Sequence, residues 1–572
     1  MFAAALTLIL CPVLAPFPVQ AEALSVSDAY RPLSTQGYGA VSSSQANATQ
    51  VGLDILAAGG NAVDSAIAVH FALAVTYPYA GNLGGGGFFL LRSAEGEAWF
   101  LDFRETAPAA ATPDMYLDAS GNPVADWSRL GWKAVGVPGA VPGMWEAHQR
   151  WGKLPWKQLV EPSVALARDG YRIGEFEATR LENYSKVLRE DPLAAQLFFD
   201  ESGAPLKSGD LLRQPQLAAT LQIIAEDGVE ALRSGTIVNE LVAASEAGGG
   251  ILAVEDFRDY QPQLRPVISF EWRGREVLAA SPPSSGGVFL QQVLGSLEGF
   301  PLQMWGFQDA RSVQVIGEAT SAAFRDRNRW LGDPAGRDFD LDKLVDPEYL
   351  RERRKRLSPH RYTPPSRSMP QPFAEHMETT HFSVVDGAGA AISCTTTLNG
   401  AYGAKVMAPG GFIMNNEMDD FAAKPGEANQ FGLVQSAYNA VIAGQRPLSS
   451  MSPVIVVADG KVDAVIGSPG GPTILTSVLQ VLLNRYAFGM SAYRSVGAPR
   501  FHRQDLPPTL RYEVGRLNGS MRNALQRLGQ PLESRGNIGD VNAIFRVKNG
   551  WQAIADPRWN GGAGIVVNPS DG

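Results

Sequence analysis

Two kinds of apolar spacing divide this chain near residue 379. Upstream the spacing is mostly helical. From Ser42 to Ala58 the apolar residues recur on one helical face, and Gly59-Gly60 ends the run. Asn61 is placed to cap a second, alanine-rich helix over Ala62 to Val75. Short strands are predicted over Phe88 to Arg92 and Trp99 to Arg104. Residues 140–360 read as mainly helical, apart from alternating runs near Pro266 to Phe270 and Val277 to Ala280. Arg351 to Pro372 is basic, then proline-rich, and predicts an exposed linker. Downstream, alternation dominates at 379–385, 391–398, 453–458 and 462–466, with one long helix from Pro472 to Phe488. Strands and helices without regular βαβ alternation predict layered α+β architecture.

The first downstream strand carries the most chemistry. Thr379-Thr380-His381-Phe382-Ser383-Val384-Val385 runs into Asp386-Gly387 and returns through Ala391-Ile392-Ser393-Cys394-Thr395-Thr396-Thr397. With a loop over Asp386 to Gly389, Val385 pairs with Ala390 and Thr379 lies opposite Thr396, with Thr397 beside it. A one-residue slip exchanges the two. Either register brings a second threonine hydroxyl near Thr379. β-Propensity alone also explains a Thr-Thr-Thr run. A mid-chain threonine lacks a base, and one base available to it is its own α-amino group, which exists only if the chain is cut before Thr379.

Composition narrows the class. The chain has 572 residues, 45% hydrophobic and 19% charged, which suits a large globular core. A net charge of -9 disfavours nucleic acid as a partner. Ala3 to Phe17 is an apolar stretch, and Val19-Gln20-Ala21 offers small residues for cleavage. The expectation is a signal peptide over 1–21 and a periplasmic or secreted protein, since the run is too short to span a bilayer. No later stretch is long and apolar enough for a membrane span. Beyond the signal, Cys394 stands alone, so no intrachain disulfide is expected.

Three further segments supply partners for a nucleophile. Gly467-Ser468-Pro469-Gly470-Gly471-Pro472 joins a strand to a helix, and its backbone N–H groups at the positive helix end can meet an oxyanion. Asn415-Asn416-Glu417-Met418-Asp419-Asp420-Phe421 is an acidic cluster suited to an ammonium, and without neighbouring histidines it does not suggest a metal. Arg446-Pro447-Leu448-Ser449-Ser450-Met451-Ser452-Pro453 offers hydroxyl donors that, with Arg104, suit a carboxylate. The bland alternative for Arg104 is a surface ion pair with Glu105 or Asp102. Gly84 to Gly87 is neither a P-loop nor a dinucleotide fingerprint.

In order and spacing these motifs, together with Asp102-Phe103-Arg104-Glu105 and Gly59-Gly60-Asn61-Ala62-Val63-Asp64, resemble the γ-glutamyltranspeptidase family over nearly all of the chain beyond the signal. The resemblance implies a four-layer αββα N-terminal nucleophile hydrolase sandwich. It implies self-cleavage between Glu378 and Thr379 into a large subunit, 22–378, and a small catalytic one, 379–572, that form one unit. It implies Thr379 as nucleophile, Thr397 as its hydrogen-bond partner, and Gly470 and Gly471 as the oxyanion hole. Asn399, Glu417 and Asp420 would hold the substrate α-amino group; Arg104, Ser449 and Ser450 would hold its α-carboxylate. Lys424 to Gln445 corresponds to a lid loop with Phe431 as an aromatic gate. The donors would be glutathione and other γ-glutamyl compounds, and the acceptors water, amino acids or dipeptides, with no cofactor and no metal. Glu417 stands where bacterial relatives often carry Gln, and the region around Asp556-Pro557-Arg558 departs more, bearing on acceptor preference. Two rivals are a glutaryl-type β-lactam side-chain acylase and an unprocessed binding protein for glutathione. Asp420 argues against the first, because glutaryl has no ammonium; Thr379, Thr397 and the Gly-Gly pair argue against the second.

Overall fold

The computed structural model describes residues 37–335, 340–365, 378–548, 550–559 and 561–567. The expected signal peptide and residues 366–372 of the expected linker lie outside these residues. Two antiparallel sheets form the centre. The first has seven strands in the order Gly562–Val567, Gly37–Ser43, Thr379–Val385, Ala391–Thr397, Gly86–Arg92, Ala98–Asp102 and Gln263–Arg265. The second has six, in the order Gly550–Ile554, Asn542–Val547, Lys461–Gly467, Val454–Ala458, Arg275–Ala280 and Val267–Trp272. Each sheet takes strands from both sides of the Glu378–Thr379 bond.

The sheets pack face to face, and helices cover both outer faces. Ala46–Ala57 and Ala62–Thr76 lie on the first sheet; Gly286–Leu297 and Thr473–Leu482 lie on the second. This is the expected αββα sandwich. Strand side chains alternate between two cores. Phe89 and Leu91 join the helix-facing core, while Phe88 and Leu90 join the core between the sheets. The central strands are therefore buried on both faces, and the threonine, serine and histidine side chains of Thr379–Val385 and Ala391–Thr397 are buried with them. Cys394 is buried with a free thiol.

Several local expectations need correction. Ser42 and Ser43 belong to a strand, Gly37–Ser43, and the first helix starts only at Ala46, capped by the Gln45 side chain. The second helix starts as expected, with Asn61 and Asp64 forming a reciprocal capping box. Arg351 to Arg356, expected as linker, lies within a helix, Pro347–Arg356, because Arg353 turns inward to pair with Asp326. The hairpin register is one residue away from the expected one. Val385 pairs with Ala391 and Thr379 with Thr397. The turn is longer than expected because the Asp386 carboxylate accepts the N–H groups of Ala388 and Ala390, both at 3.0 Å, and the backbone closes from Asp386 N–H to the Ala390 carbonyl.

Candidate active site

Thr379 is the first residue of its strand and is buried. The direct pairing with Thr397 sets their hydroxyl oxygens 3.2 Å apart. The Thr397 hydroxyl also lies 3.2 Å from the Glu378 carbonyl oxygen, to which it can donate, and it accepts the Asn399 N–H at 2.8 Å. Asn399 holds the left-handed conformation, φ 70°, that turns the chain back toward the hydroxyl. Thr395 and Thr396 do other work. Thr395 bonds the His381 ring at 2.8 Å, and Thr396 donates to the Gly86 carbonyl at 2.9 Å. The bland reading of the threonine run holds for these two and fails for Thr397. Gly84 to Gly87 owes its composition to close approach: a Cβ on Gly85 would sit 2.1 Å from the Thr397 carbonyl oxygen.

His381 does not serve Thr379 as a base. Burial pulls its pKa down to about 3, and its ring bonds Thr395 and Ser383. A carbon added at Gly467 would strike that ring at 2.2 Å.

Opposite Thr379 stands the strand-to-helix turn. Gly470 and Gly471 both take positive φ, 130° and 53°. The turn is held by the Thr473 hydroxyl, which donates to the Gly470 carbonyl at 2.7 Å, and helix Thr473–Leu482 follows directly. The ring of Phe431 covers the turn, 3.0 Å from where a Gly471 Cβ would stand.

One cavity joins these parts to the substrate-binding candidates. Thr379, Thr397 and Gly471 wall one end; Arg104, Asn399, Glu417, Asp420, Ser449 and Ser450 wall the other. Phe431 also lines it, and the space left is about 10 Å³, roughly room for one water. Of the expected residues only Gly470 and Glu378 lie outside this lining, each as the direct neighbour of a residue within it.

Arg104 is no surface residue. It is fully buried, and its guanidinium lies 2.7 Å from Glu417, 2.5 Å from Asp420 and 3.9 Å from Glu105. Its Nε donates to the Pro447 carbonyl at 2.8 Å. Three carboxylates thus surround one cation. Burial pulls the Arg104 pKa down, but Glu417, Asp420 and Glu105 outweigh it and hold it above its usual value. Burial pushes the Glu105 carboxyl up to about 8 against the pull of Arg104, and pushes Glu417 well above the carboxylate range. The Glu417 contact is close in distance but poor in angle, so both its oxygens lack a hydrogen-bond donor. An entering ammonium would supply donors and relieve the excess of acid.

Residues 48–566 match the family described as Gamma-glutamyltranspeptidase. The chain belongs to that family. The glutathione hydrolase proenzyme of Escherichia coli (strain K12) is 42% identical over 536 residues, covering 93% of this chain and 92% of that protein. A crystal structure of Helicobacter pylori gamma-glutamyltranspeptidase aligns with a TM-score of 0.57 at 35% identity, over 58% of this chain and 95% of that one. A cephalosporin acylase from Bacillus halodurans aligns with a TM-score of 0.82 over 97% of this chain and 99% of its own, but at 24% identity it speaks for the shared fold alone.

Two residues beside the cavity escaped the reading of the sequence. Asn439 donates to the Asp420 carbonyl at 2.6 Å and accepts the Leu448 N–H at 2.9 Å, tying the acidic turn to the serine segment. Arg327, on helix Ala310–Trp330, donates to the Ser450 hydroxyl at 3.1 Å. Arg327 lies 123 positions from Ser450, whereas Asn439 falls within the expected lid segment, and no spacing rule marks either. The segment around Asp556 and Arg558 proves to be a buried ion cluster. Arg558 forks onto Glu513 at 2.5 and 2.8 Å, and Arg500 pairs with Asp556 at 2.7 Å.

Proposed function

We propose that this chain is the precursor of a γ-glutamyltransferase and glutathione hydrolase that cuts itself between Glu378 and Thr379. The observation that carries the reading is the Thr397 hydroxyl, which reaches both the Thr379 hydroxyl and the Glu378 carbonyl oxygen. In the cleavage step the Thr379 oxygen attacks the Glu378 carbonyl carbon, the peptide C–N bond breaks, and the nitrogen takes the hydroxyl proton. Water then hydrolyses the resulting ester. The products are a Glu378 carboxylate and a free Thr379 amine, and the amine is the base that the nucleophile otherwise lacks.

Turnover uses the same hydroxyl. The Thr379 amine, directly or through water, takes the hydroxyl proton, and the oxygen attacks the γ-glutamyl amide of glutathione or a related compound. The N–H groups of Gly470 and Gly471 meet the charge on the carbonyl oxygen, a contribution of about 3–4 kcal/mol per donor. The amine leaves with a proton, and water, an amino acid or a dipeptide takes the γ-glutamyl group from Thr379. Asn399, Glu417 and Asp420 hold the donor ammonium, and Arg104, Ser449 and Ser450 its carboxylate. A donor enters as Phe431 swings off Gly471, since with the ring in place the cavity has room for about one water. No step calls on a cofactor or metal. The apolar run before Ala21 supports export to the periplasm or exterior, leaving subunits 22–378 and 379–572.

Purified protein should run as two bands on a denaturing gel, and the smaller fragment should begin Thr-Thr-His-Phe. Thr379→Ala should give one band and no γ-glutamyl anilide hydrolysis. An active wild-type protein with a single band would sink the reading.

A further inference from the structure

Among the described residues, Arg327 is a buried cation with no carboxylate in ion-pair contact. It is 2% exposed, and its guanidinium donates to three neutral oxygens: Ser285 Oγ at 3.1 Å, Asn328 Oδ1 at 3.0 Å and Ser450 Oγ at 3.1 Å. Asp420 and Arg104 act on it only at longer range, and burial pulls its pKa down to about 10, so it stays charged at neutral pH. Four other deeply buried arginines have a carboxylate close by: Arg104 has Glu417, Arg500 has Asp556, Arg503 has Glu318 and Arg558 has Glu513. An uncompensated buried charge destabilises a fold by several kcal/mol. A fold that keeps one beside a cavity has a place for an anion.

The hydroxyls in front of Arg327 are oriented to match. Ser450 Oγ accepts from Arg327, and Ser449 Oγ accepts the Met451 N–H at 3.1 Å. Both oxygens are thereby engaged as acceptors, leaving their hydrogens to donate into the cavity that both residues line. Arg327 also braces the backbone of this segment. Its Nε bonds Ser285 Oγ, which donates to the Ser449 carbonyl at 2.7 Å. Arg104, which does line the cavity, is already faced by Glu417 and Asp420.

We propose that Arg327 is a positioning residue for the donor's α-carboxylate, holding the Ser450 hydroxyl as a donor and supplying the positive charge behind it. The inference rests on the γ-glutamyl reading above. It makes Arg327 a determinant of specificity for donors with a carboxylate on the α-carbon, although its side chain does not line the cavity.

The test compares γ-glutamyl anilide with 4-aminobutyryl anilide, which keeps the ammonium and lacks only the α-carboxylate. Where the second turns over too slowly, inhibition by free L-glutamate and free 4-aminobutyrate gives the same ratio. Arg327→Gln should mature into two chains and raise KM for γ-glutamyl anilide roughly 10- to 100-fold, the worth of a charge-assisted hydrogen bond, with a much smaller change in kcat. The 4-aminobutyryl substrate should be nearly indifferent. Arg327→Lys should recover part of the loss, and Ser450→Ala combined with Arg327→Gln should be little worse than Arg327→Gln alone. Equal losses on both substrates, or undiminished discrimination in Arg327→Gln, would overturn the proposal. If Arg327→Gln stays unprocessed, Arg327→Lys carries the same comparison. A wild-type enzyme that does not distinguish the two substrates would overturn the γ-glutamyl reading itself, and this inference with it.

Discussion

At the scale of single residues, the site depends on which neutral atoms stand close to which charged ones. Thr397 shows this most simply. Its hydroxyl accepts from Asn399 and stands within reach of both the Thr379 hydroxyl and the Glu378 carbonyl oxygen, the two groups that the proposed cleavage brings together. Thr397→Val keeps the shape and removes the donor. Maturation should slow by about 100-fold, as when one donor to a developing oxyanion is lost, and Thr397→Ser should restore most of the rate. The half-life of the precursor band on a denaturing gel measures it, and a normal half-life in Thr397→Val would remove Thr397 from the cleavage step. The same scale holds the largest surprise against the sequence. Arg104 beside Glu105 has the look of a local surface pair, yet its real partners are Glu417 and Asp420, more than three hundred positions away. Nothing in local spacing shows which distant carboxylates will be buried around a guanidinium.

At the scale of elements, the hairpin that begins with Thr379 is anchored at its far end. Asp386 closes the turn through Ala388 and Ala390, and its other carboxylate oxygen accepts the Ala62 N–H at 3.0 Å, at the start of helix Ala62–Thr76. One side chain thus sets the turn length, hence the register, and ties the hairpin to the outer helix layer. Asp386→Ala should destabilise the unprocessed Thr379→Ala protein by roughly 2–4 kcal/mol, from lost charge-assisted bonds to backbone donors. Asp386→Asn should lose less. Denaturant midpoints compare the two, and equal midpoints for Asp386→Ala and its parent would show that the turn is set elsewhere. The existence of these elements was legible from alternation and helical spacing. Their register was not, because the one-residue choice between Thr396 and Thr397 turned on the hydrogen bonds of Asp386 rather than on apolar pattern.

Across the whole molecule, buried titratable groups set how stability follows pH. Burial pulls His70 to about 4 and His381 and His502 to about 3, from an ordinary 6.5. The unfolded chain binds those protons below 6.5 and the folded chain does not, so stability falls as pH drops from 6.5. Three carboxyls act in the opposite sense. Burial raises Glu105 from 4.5 to about 8, pushes Glu417 well above its ordinary value and, helped by Asp556, raises Asp540 from 3.8 to about 7. They keep protons that the unfolded chain has released, so stability is lost as pH rises toward 8. The thermal midpoint of the Thr379→Ala protein should therefore peak on the acid side of about pH 6.5, where the two limbs cross. A midpoint still climbing at about pH 8 would contradict the carboxyl argument, and one that stays level from about pH 5 down to about pH 4 the histidine argument.

Contiguous strings with fixed local geometry could be read from the chain alone. The Thr-initiated strand, the Gly470-Gly471 turn before a helix, the acidic run at 417–420 and the Ser449-Ser450 pair are of this kind, because a few adjacent backbone conformations produce them. Layered α+β architecture was legible too, since strands and Ala-rich helices without βαβ alternation admit few arrangements, while the αββα order followed from the family resemblance. The assembly of those strings into one cavity required the fold. The pairing of Arg104 with Glu417 and Asp420, the placement of Arg327 behind Ser450, and the choice of Thr397 over Thr396 are contacts between distant segments. Each was settled by which polar groups were left to satisfy one another once the apolar layers had closed, and that outcome has no local signature.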